Sequence, residues 1–250
     1  MHSNKKEIQI LLGLLQRQQP CFKNGVNMDF DKTIGGYLEN TGWKGRTDIG
    51  CLLNGCRQMY AATQDERYQK FILQYVEKMS EEWENAFSKT DVTKKINAGS
   101  AWIFAYEKTG EEKYKEYIER MKDDLMGLSR TAEGSLCEEG DHKKLMTGQH
   151  LYEVLPFYME YETRYHNKAG YNDIVNQLTE MRSGKDAIWY VMALIDVLDH
   201  MSIEIFEHYK SLQEIFKKTI KCIPLGGDAK MQKVCMGYAI LKACNIGILN

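Results

Sequence analysis

Polar side chains that could do chemistry gather where an apolar helix is expected to begin. Gln149, His150 and Glu153 lie within about one helical turn of each other, ahead of the apolar residues around Leu155. A carboxyl group such as that of Glu153 can exchange a proton near neutral pH, whereas the amide of Gln149 cannot. Glu153 is therefore a candidate general acid or base, and Gln149 and His150 are candidate pocket residues. A polar first turn and an ion-paired glutamate are the ordinary structural alternatives.

Two adjacent lysines, Lys94 and Lys95, precede a second apolar stretch that begins at Ile96. Their ammonium groups could hold the carboxylate of an acidic ligand, or they could be surface lysines of a loop, and the sequence favours neither. Asp48 begins another apolar segment and could lie at the rim of a pocket. An aspartate in the first turn of a helix is equally explained by the helix dipole.

Three tryptophans are candidate substrate-binding residues, and two of them, Trp102 and Trp189, could offer a flat apolar face to a ligand ring. Trp43 precedes the first apolar segment, while Trp102 and Trp189 lie within apolar helices. Aromatic side chains on enclosed helices usually belong to the core, which is the alternative for the last two.

Helices of two kinds carry these candidate residues. Residues 96–106 are almost continuously apolar, which is typical of a helix enclosed by other helices. Residues 111–125 instead place apolar side chains at helical spacing among charged ones, as expected of an outer helix with one face in water. An enclosed helix followed by an amphipathic one is the unit of an α/α toroid.

This two-helix unit recurs along the chain. The segment from Tyr60 to Tyr68 matches the segment from Tyr106 to Tyr114, an offset of 46 residues. In both segments a threonine closes one helix and acidic residues open the next. Repeats of this length indicate stacked or ringed helical hairpins, none of which can bury its apolar face alone.

Composition and charge exclude several classes of protein. Of the 250 residues, 43% are hydrophobic and 27% are charged, as in an ordinary soluble globular protein. A net charge of −2 gives no electrostatic case for binding nucleic acid or a membrane surface. The seven cysteines form no CxxC pair and no metal-ligand spacing, so we expect reduced thiols and a cytoplasmic protein.

The sequence predicts an all-α protein, a single α/α toroid domain of about ten helices without strands. An amphipathic helix is expected over residues 4–18 and a long connection over residues 19–45. Inner helices are expected to begin near five positions, each but the last followed by an outer partner: Asp48, Lys95, Leu145, Asp186 and Ala229.

Short motifs occur in an order that resembles a known family. The motifs are Trp43, Gly99–Gly110, Arg130–Gly134, Leu155–Tyr158, Asp173–Gln177 and Trp189–Leu198. Their order over residues 43–247 is similar to that of the unsaturated glucuronyl and rhamnogalacturonyl hydrolases, which are (α/α)6 toroids. The resemblance implies the same ring of hairpins, shortened here because about ten helices are expected where the family has twelve.

The resemblance also implies an activity. These hydrolases act on 4,5-unsaturated uronic acid at the end of the oligosaccharides that polysaccharide lyases leave. A carboxyl group protonates the enol-ether double bond and directs water to add, after which the sugar collapses and the bond breaks. No cofactor or metal is implied. The implied partner is an acidic oligosaccharide, and pairing into a homodimer is one way to cover the helix faces that a missing hairpin exposes.

The chain departs from the family where the resemblance places catalysis. The main acid/base aspartate aligns with Gln149, and a second pocket aspartate aligns with Lys95. Ordinary turnover is therefore expected to be lost, with Glu153 as the candidate replacement acid. Arg130, in one of the shared motifs, and Lys185, near an expected arginine, are assigned to substrate binding by the resemblance.

Two classes of function follow. The first is a glycoside hydrolase-like protein for unsaturated uronosyl oligosaccharides, and the second is a non-catalytic relative that binds a sugar or a protein in the same concavity. Sugar epimerisation normally needs pocket histidines, and the six histidines here show no such grouping. If Lys94 and Lys95 face the pocket, acidic sugars should bind weakly and with a dependence on salt.

Overall fold

Antiparallel helical pairs make up the protein, and the all-α prediction is confirmed. A computed structural model describes residues 47–83, 92–179, 186–223 and 230–249. The helices in these ranges are α1 (Thr47–Thr63), α2 (Glu66–Glu81), α3 (Val92–Asn97), α4 (Gly99–Thr109), α5 (Glu112–Met126), α6 (Gly148–Arg164), α7 (Tyr171–Thr179), α8 (Ala187–His200), α9 (Phe206–Cys222) and α10 (Lys230–Asn245). None of them is long and apolar enough to cross a lipid bilayer. The features expected over residues 4–18 and 19–45 lie outside the described residues.

The helices form an inner and an outer layer. In the inner helix α8, every residue from Tyr190 to Leu198 is buried. The outer helix α5 buries one face only, through Tyr114, Ile118 and Met121 at helical spacing. The inner helices pack side by side, α6 against α3 and α8, and α8 against α10. Burial of these apolar faces is the main force that holds the ring together.

The two repeated turns have the same hydrogen bonds. The Thr63 hydroxyl donates to the carbonyl of Met59 and accepts a hydrogen bond from the backbone N–H of Asp65. In the same way, the Thr109 hydroxyl donates to the carbonyl of Ala105 and accepts a hydrogen bond from the backbone N–H of Glu111. In each case the threonine ends an inner helix and fixes the start of the outer one. The repeat seen in the sequence is therefore a structural repeat.

The second inner helix begins earlier than predicted and is split in two. α3 ends at Asn97 and α4 begins at Gly99, where one continuous helix was expected from Lys95. A Cβ atom at Gly99 would lie only 2.5 Å from the ring of Phe157. The glycine therefore allows α4 and α6 to approach closely at the break.

A short β-hairpin interrupts the helices, which corrects the prediction that the chain has no strand. β1 (Cys137–Glu138) pairs antiparallel with β2 (Asp141–Leu145) around Gly140, whose φ is 80°. Leu145 therefore ends a strand instead of beginning an inner helix, and α6 begins at Gly148. The residues of β2 are mostly exposed and charged, so they lack the apolar alternation by which a strand is recognised.

The last inner helix is hydrogen-bonded to the first. The Tyr238 hydroxyl of α10 accepts hydrogen bonds from Asn54 and Gln58 of α1, at 3.3 and 2.8 Å. It donates to Asp196 of α8 at 2.7 Å. One hydroxyl group thus joins three inner helices.

Candidate functional site

The first turns of α6 hold a buried carboxylate between two hydrogen-bond donors. Glu153 is only 1% exposed. Its Oε1 accepts a hydrogen bond from Gln149 Nε2 at 3.1 Å, and its Oε2 accepts one from Thr93 Oγ1 of α3 at 2.5 Å. The hydroxyl of Thr147 caps α6 by accepting from the backbone N–H of His150. The structure therefore brings Gln149 and Glu153 together and adds Thr93, which the sequence analysis missed.

A small cavity lies beside Glu153 between the inner helices. Its volume is about 20 Å³, and its lining includes Gly50, Asn97, Glu153 and Asp196. A cavity of this volume has room for about one water molecule. The described interior therefore has no space for a sugar ring next to Glu153.

A second charged cluster lies nearer the C-terminal ends of the inner helices. Arg57 of α1 donates two hydrogen bonds to Glu160 of α6, and Arg164 Nε and His200 Nε2 lie 3.1 and 3.6 Å from the same carboxylate. Burial by itself raises the pKa of Glu160, but the charges of Arg57 and His200 outweigh it and hold that pKa well below its usual value. Burial lowers the pKa of His200, and the charge of Arg57 adds to this effect.

A third cluster joins α8 to α10 through a buried ion pair. Lys242 Nζ lies 2.8 Å from Asp196 Oδ1 and 2.7 Å from Asp199 Oδ2. Burial alone lowers the pKa of Lys242, but the Asp196 charge outweighs it, so the ammonium stays protonated. The clusters around Glu160 and Asp196 fill one end of the ring with paired charges, while Gln149 and Thr93 lie toward the other end.

Of the two lysines of α3, Lys95 contacts an outer helix. Lys95 forms an ion pair with Asp124 of the outer helix α5, and its ammonium lies 5.3 Å from the centre of the Trp83 ring. Among the residues of α3, Asn97 lines the cavity beside Glu153. Lys94, on the same helix, is half-buried. This ion pair favours the surface alternative for Lys95, and a role of Lys94 in ligand binding stays a prediction.

The two candidate tryptophans that the structure describes contact protein side chains. Trp102 is fully buried and donates its indole N–H to Ser80 at 3.0 Å, between the rings of Tyr75 and Trp83. Trp189 is half-buried, with its ring centre 5.3 Å from that of Tyr152. Trp102 therefore belongs to the core between α2 and α4, which is the structural alternative considered above.

Arg130 connects two of the motifs that carry the resemblance, Arg130–Gly134 and Asp173–Gln177, by hydrogen bonds. It donates to the Gly134 carbonyl at 2.7 Å and makes two hydrogen bonds to Asp173 of α7, at 2.9 and 2.8 Å. Gln177 bonds both Gly134 and Asp173. Partial burial raises the pKa of Asp173, but the bonds from Arg130 and Gln177 bring it below its usual value. Arg130 therefore fixes the turn after α5, and its predicted contact with substrate remains a prediction.

A surface groove of about 490 Å³ lies on the other side of Thr93. His150 lines it together with Asp123, Asp124 and Glu138. Lys122 and Lys144 pair with two of these carboxylates, and Lys95 pairs with Asp124. His150 thus faces a groove in which these three carboxylates are paired with lysines. Trp43 and Lys185 lie outside the described residues, and of Asp48 the structure describes only its place in the first turn of α1.

The buried charged clusters were also missed by the sequence analysis, although the sequence contains a signal for them. Asp196 interrupts an otherwise apolar inner helix, and Glu160 lies within a buried stretch of α6. A charge in such a position needs a partner, because an unpaired buried charge is costly. Ionisable residues inside predicted inner helices were therefore the better candidates for interior polar groups.

The ring of helical hairpins around a polar axis defines an α/α-toroid protein. The sequence profile of Glycosyl Hydrolase Family 88 matches residues 37–188, which is 152 of the 250 residues. The chain belongs to that family. A solved structure of a glycoside hydrolase from family 105 of C. acetobutylicum ATCC 824 shares the fold, with a TM-score of 0.73 at 17% identity, over 85% of this chain and 75% of that chain.

Proposed function

We propose that this protein binds oligosaccharides ending in a 4,5-unsaturated uronic acid and hydrolyses them far more slowly than an ordinary member of its family. The substrate class rests on family membership and on the motif order that resembles the unsaturated uronosyl hydrolases. The low rate rests on one observation: Gln149 occupies the position expected for the acid/base aspartate, and its amide donates to Glu153.

Two physical arguments support a low rate. An amide cannot give or take a proton near neutral pH, and loss of a general acid or base typically costs about 10²–10⁴-fold in rate. The interior next to Glu153 also has room for about one water molecule and no sugar ring. A bound sugar therefore has to lie outside this cavity, toward the Gln149 end of the ring.

The direct test restores the missing carboxylate. Loss of the ultraviolet absorbance of an unsaturated uronosyl disaccharide is followed at substrate-level protein for the wild type, Gln149→Asp and Gln149→Leu. We expect slow turnover by the wild type, an increase of at least tenfold in Gln149→Asp, and no increase in Gln149→Leu, which also loses the amide but gains no acid. Family-like turnover by the wild type, or no binding of the disaccharide to it, would contradict the proposal.

The closed interior also favours a second candidate, a relative that binds a sugar or a protein without any hydrolysis. Calorimetry of disaccharide binding, compared with the turnover assay, distinguishes the two candidate functions. Binding of the disaccharide with no turnover over many hours, in the wild type and in Gln149→Asp alike, would establish the second candidate in place of the first.

A further inference from the structure

We propose that the outer helix α9 carries a second binding surface, which holds the uncleaved part of an acidic polysaccharide. This surface is the face of α9 formed by Phe206, Lys210, Lys217 and Lys221, which we name the lysine face. It lies on the outside of the ring and contains none of the residues of the candidate site. The inference rests on the proposed function, because that function supplies a ligand with many carboxylates.

The lysine face follows from the spacing of its residues along α9. At about 3.6 residues per turn, its four positions lie within about 60° around the helix axis and span about 22 Å along it. Phe206, Lys210 and Lys221 are exposed, and Lys217 is half-buried. Another face of α9 packs in the protein, where α9 contacts α7 and α8, through Leu212, Phe216, Thr219 and Ile220.

The helix that carries the lysine face is positive, although the chain as a whole is slightly negative. Four lysines and two glutamates give α9 a formal charge of +2, whereas the whole chain carries −2. Lys210 and Lys217 form no ion pair with any residue that the structure describes. By contrast, a carboxylate pairs with each of three other lysines, Lys95, Lys122 and Lys144. Unpaired ammonium groups on one helix face attract an anionic chain, and salt weakens that attraction.

The helix dipole does not account for the lysine face. Lys221 lies in the last turn of α9, where the partial negative charge of the helix end favours a cation. The dipole acts only within the last turn, and Lys210 and Lys217 lie before it. Two of the three lysines therefore have no structural role within their own helix.

The lysine face runs toward the end of the ring at which Gln149 lies. A Cβ atom at Gly148, the neighbour of Gln149, would lie 2.6 Å from the carbonyl oxygen of Asp186. The start of α8 is therefore beside the start of α6. After a connection of five residues α9 returns antiparallel to α8, which places Lys217 and Lys221 near this end. A long substrate thus has a cationic path that leads away from the Gln149 end.

The apolar part of this surface fits a sugar better than a lipid membrane. Phe206 is 60% exposed, and the ammonium of Lys210 lies 5.8 Å from its ring centre. The ring can stack on the apolar face of a uronic acid while the ammonium contacts the carboxylate. A membrane-bound amphipathic helix would bury its apolar face in lipid, but that face of α9 is buried in the protein. The exposed apolar side chains, Ile203 and Phe206, lie at one end of α9 only.

The test measures binding of lyase-treated polygalacturonate to the full-length protein at low and high salt, with the unsaturated disaccharide and neutral dextran for comparison. Lys210→Glu/Lys217→Glu reverses the charge of the lysine face. Lys70→Glu/Lys108→Glu, at exposed positions of α2 and α4, is the matched control with the same change in net charge. Glu214→Gln removes the carboxylate that lies between Lys210 and Lys217 in the sequence. Circular dichroism and thermal unfolding verify that each variant is folded.

We expect polygalacturonate to bind about tenfold more tightly than the disaccharide at low salt, and this advantage to disappear at high salt. The Lys210→Glu/Lys217→Glu variant should lose the advantage and keep the affinity for the disaccharide. Glu214→Gln should increase the affinity for polygalacturonate about threefold, because it removes a like charge from the path of the ligand. The control variant should change neither affinity, and dextran should not bind to the lysine face.

Two results would overturn this inference and leave the proposed function standing: equal affinities for polygalacturonate and the disaccharide, or an advantage that Lys210→Glu/Lys217→Glu retains. No binding of the disaccharide to the wild type would instead contradict the proposed function, and the effect of the charge reversal on polygalacturonate would still decide this inference. Phosphatidylserine vesicles and duplex DNA serve as the other polyanions. Binding to either one that matches or exceeds the binding of polygalacturonate would overturn the assignment to a polysaccharide.

Discussion

The ammonium of Lys242 lies 2.8 Å from the carboxylate of Asp196, and both side chains are almost completely buried. This pair joins the last inner helix to the one before it. Asn54 and Tyr238 donate further hydrogen bonds to the same carboxylate, so the first inner helix takes part as well. A polar contact in the interior therefore joins these three inner helices, in addition to apolar packing.

Lys242→Met is expected to destabilise the protein by about 3–5 kcal/mol, because it leaves the Asp196 charge buried without its cation. The free energy of unfolding in urea measures this loss. In the double variant Lys242→Met/Asp196→Leu both charges are gone, so we expect part of the stability to return. A double variant that is less stable than the sum of the two single changes would contradict this account.

The pair of Arg57 and Glu160, together with His200, predicts a stability that falls with acid. The pKa of His200 in the folded protein lies below its ordinary value of 6.5, so the unfolded chain takes up this proton first as the pH falls below about 6.5. The pKa of Glu160 is also depressed, so its contribution is present above about pH 4.5 and is lost as the pH falls further. Both groups therefore make the free energy of unfolding decrease with falling pH.

Urea unfolding between pH 4.5 and pH 8 tests the contribution of His200. In the wild type the free energy of unfolding should decline from about pH 6.5 downward. In His200→Gln that decline should begin only near pH 4.5, where carboxylates such as Glu160 start to protonate. The same slope between pH 6.5 and pH 4.5 in both proteins would show that His200 is not its source.

The sequence predicted the architecture because the signals for it are local and repeated. The turns at Thr63 and Thr109 are built from the same hydrogen bonds, and each follows an apolar helix and precedes an amphipathic one. Such a repeat fixes helix number and layering without knowledge of any long-range contact. The hairpin around Gly140 carries no such pattern, and only the backbone pairing reveals it.

The candidate site was harder to predict, because it depends on side-chain direction across helices. Gln149 and Glu153 share one helix face, so their contact follows from spacing. The partners Thr93 and Asp196 come from other helices, and no periodicity relates them to Glu153. Lys95 shows the limit of a resemblance: it was expected at the position of a pocket residue, yet its side chain pairs with Asp124 of the outer helix α5.

Close packing of inner helices gives a prediction with a matched control. A Cβ atom at Gly148 would lie 2.6 Å from the backbone carbonyl oxygen of Asp186, which cannot move without shifting α8. Gly148→Ala should therefore cost about 1–3 kcal/mol. At Gly55, in the middle of α1, a Cβ atom would meet nothing within 4 Å. Gly55→Ala should stabilise the protein by about 0.5–1 kcal/mol. Thermal unfolding of the two variants distinguishes them, and equal effects would contradict the packing argument.

The outward direction of Lys95 yields a last prediction about ligand binding. Because its ammonium is held by Asp124 and lies over the Trp83 ring, Lys95→Ala should cost about 1 kcal/mol of folding free energy. The affinity for an unsaturated uronosyl disaccharide, and the dependence of that affinity on salt, should stay unchanged, since the charge of Lys95 is already paired with Asp124. Lys95→Met serves as the control, because it keeps the packing of the aliphatic stem and loses only the charge. Titration calorimetry at low and high salt measures both quantities. A tenfold loss of affinity in both variants, with a weaker salt dependence, would instead place the Lys95 ammonium in the binding site.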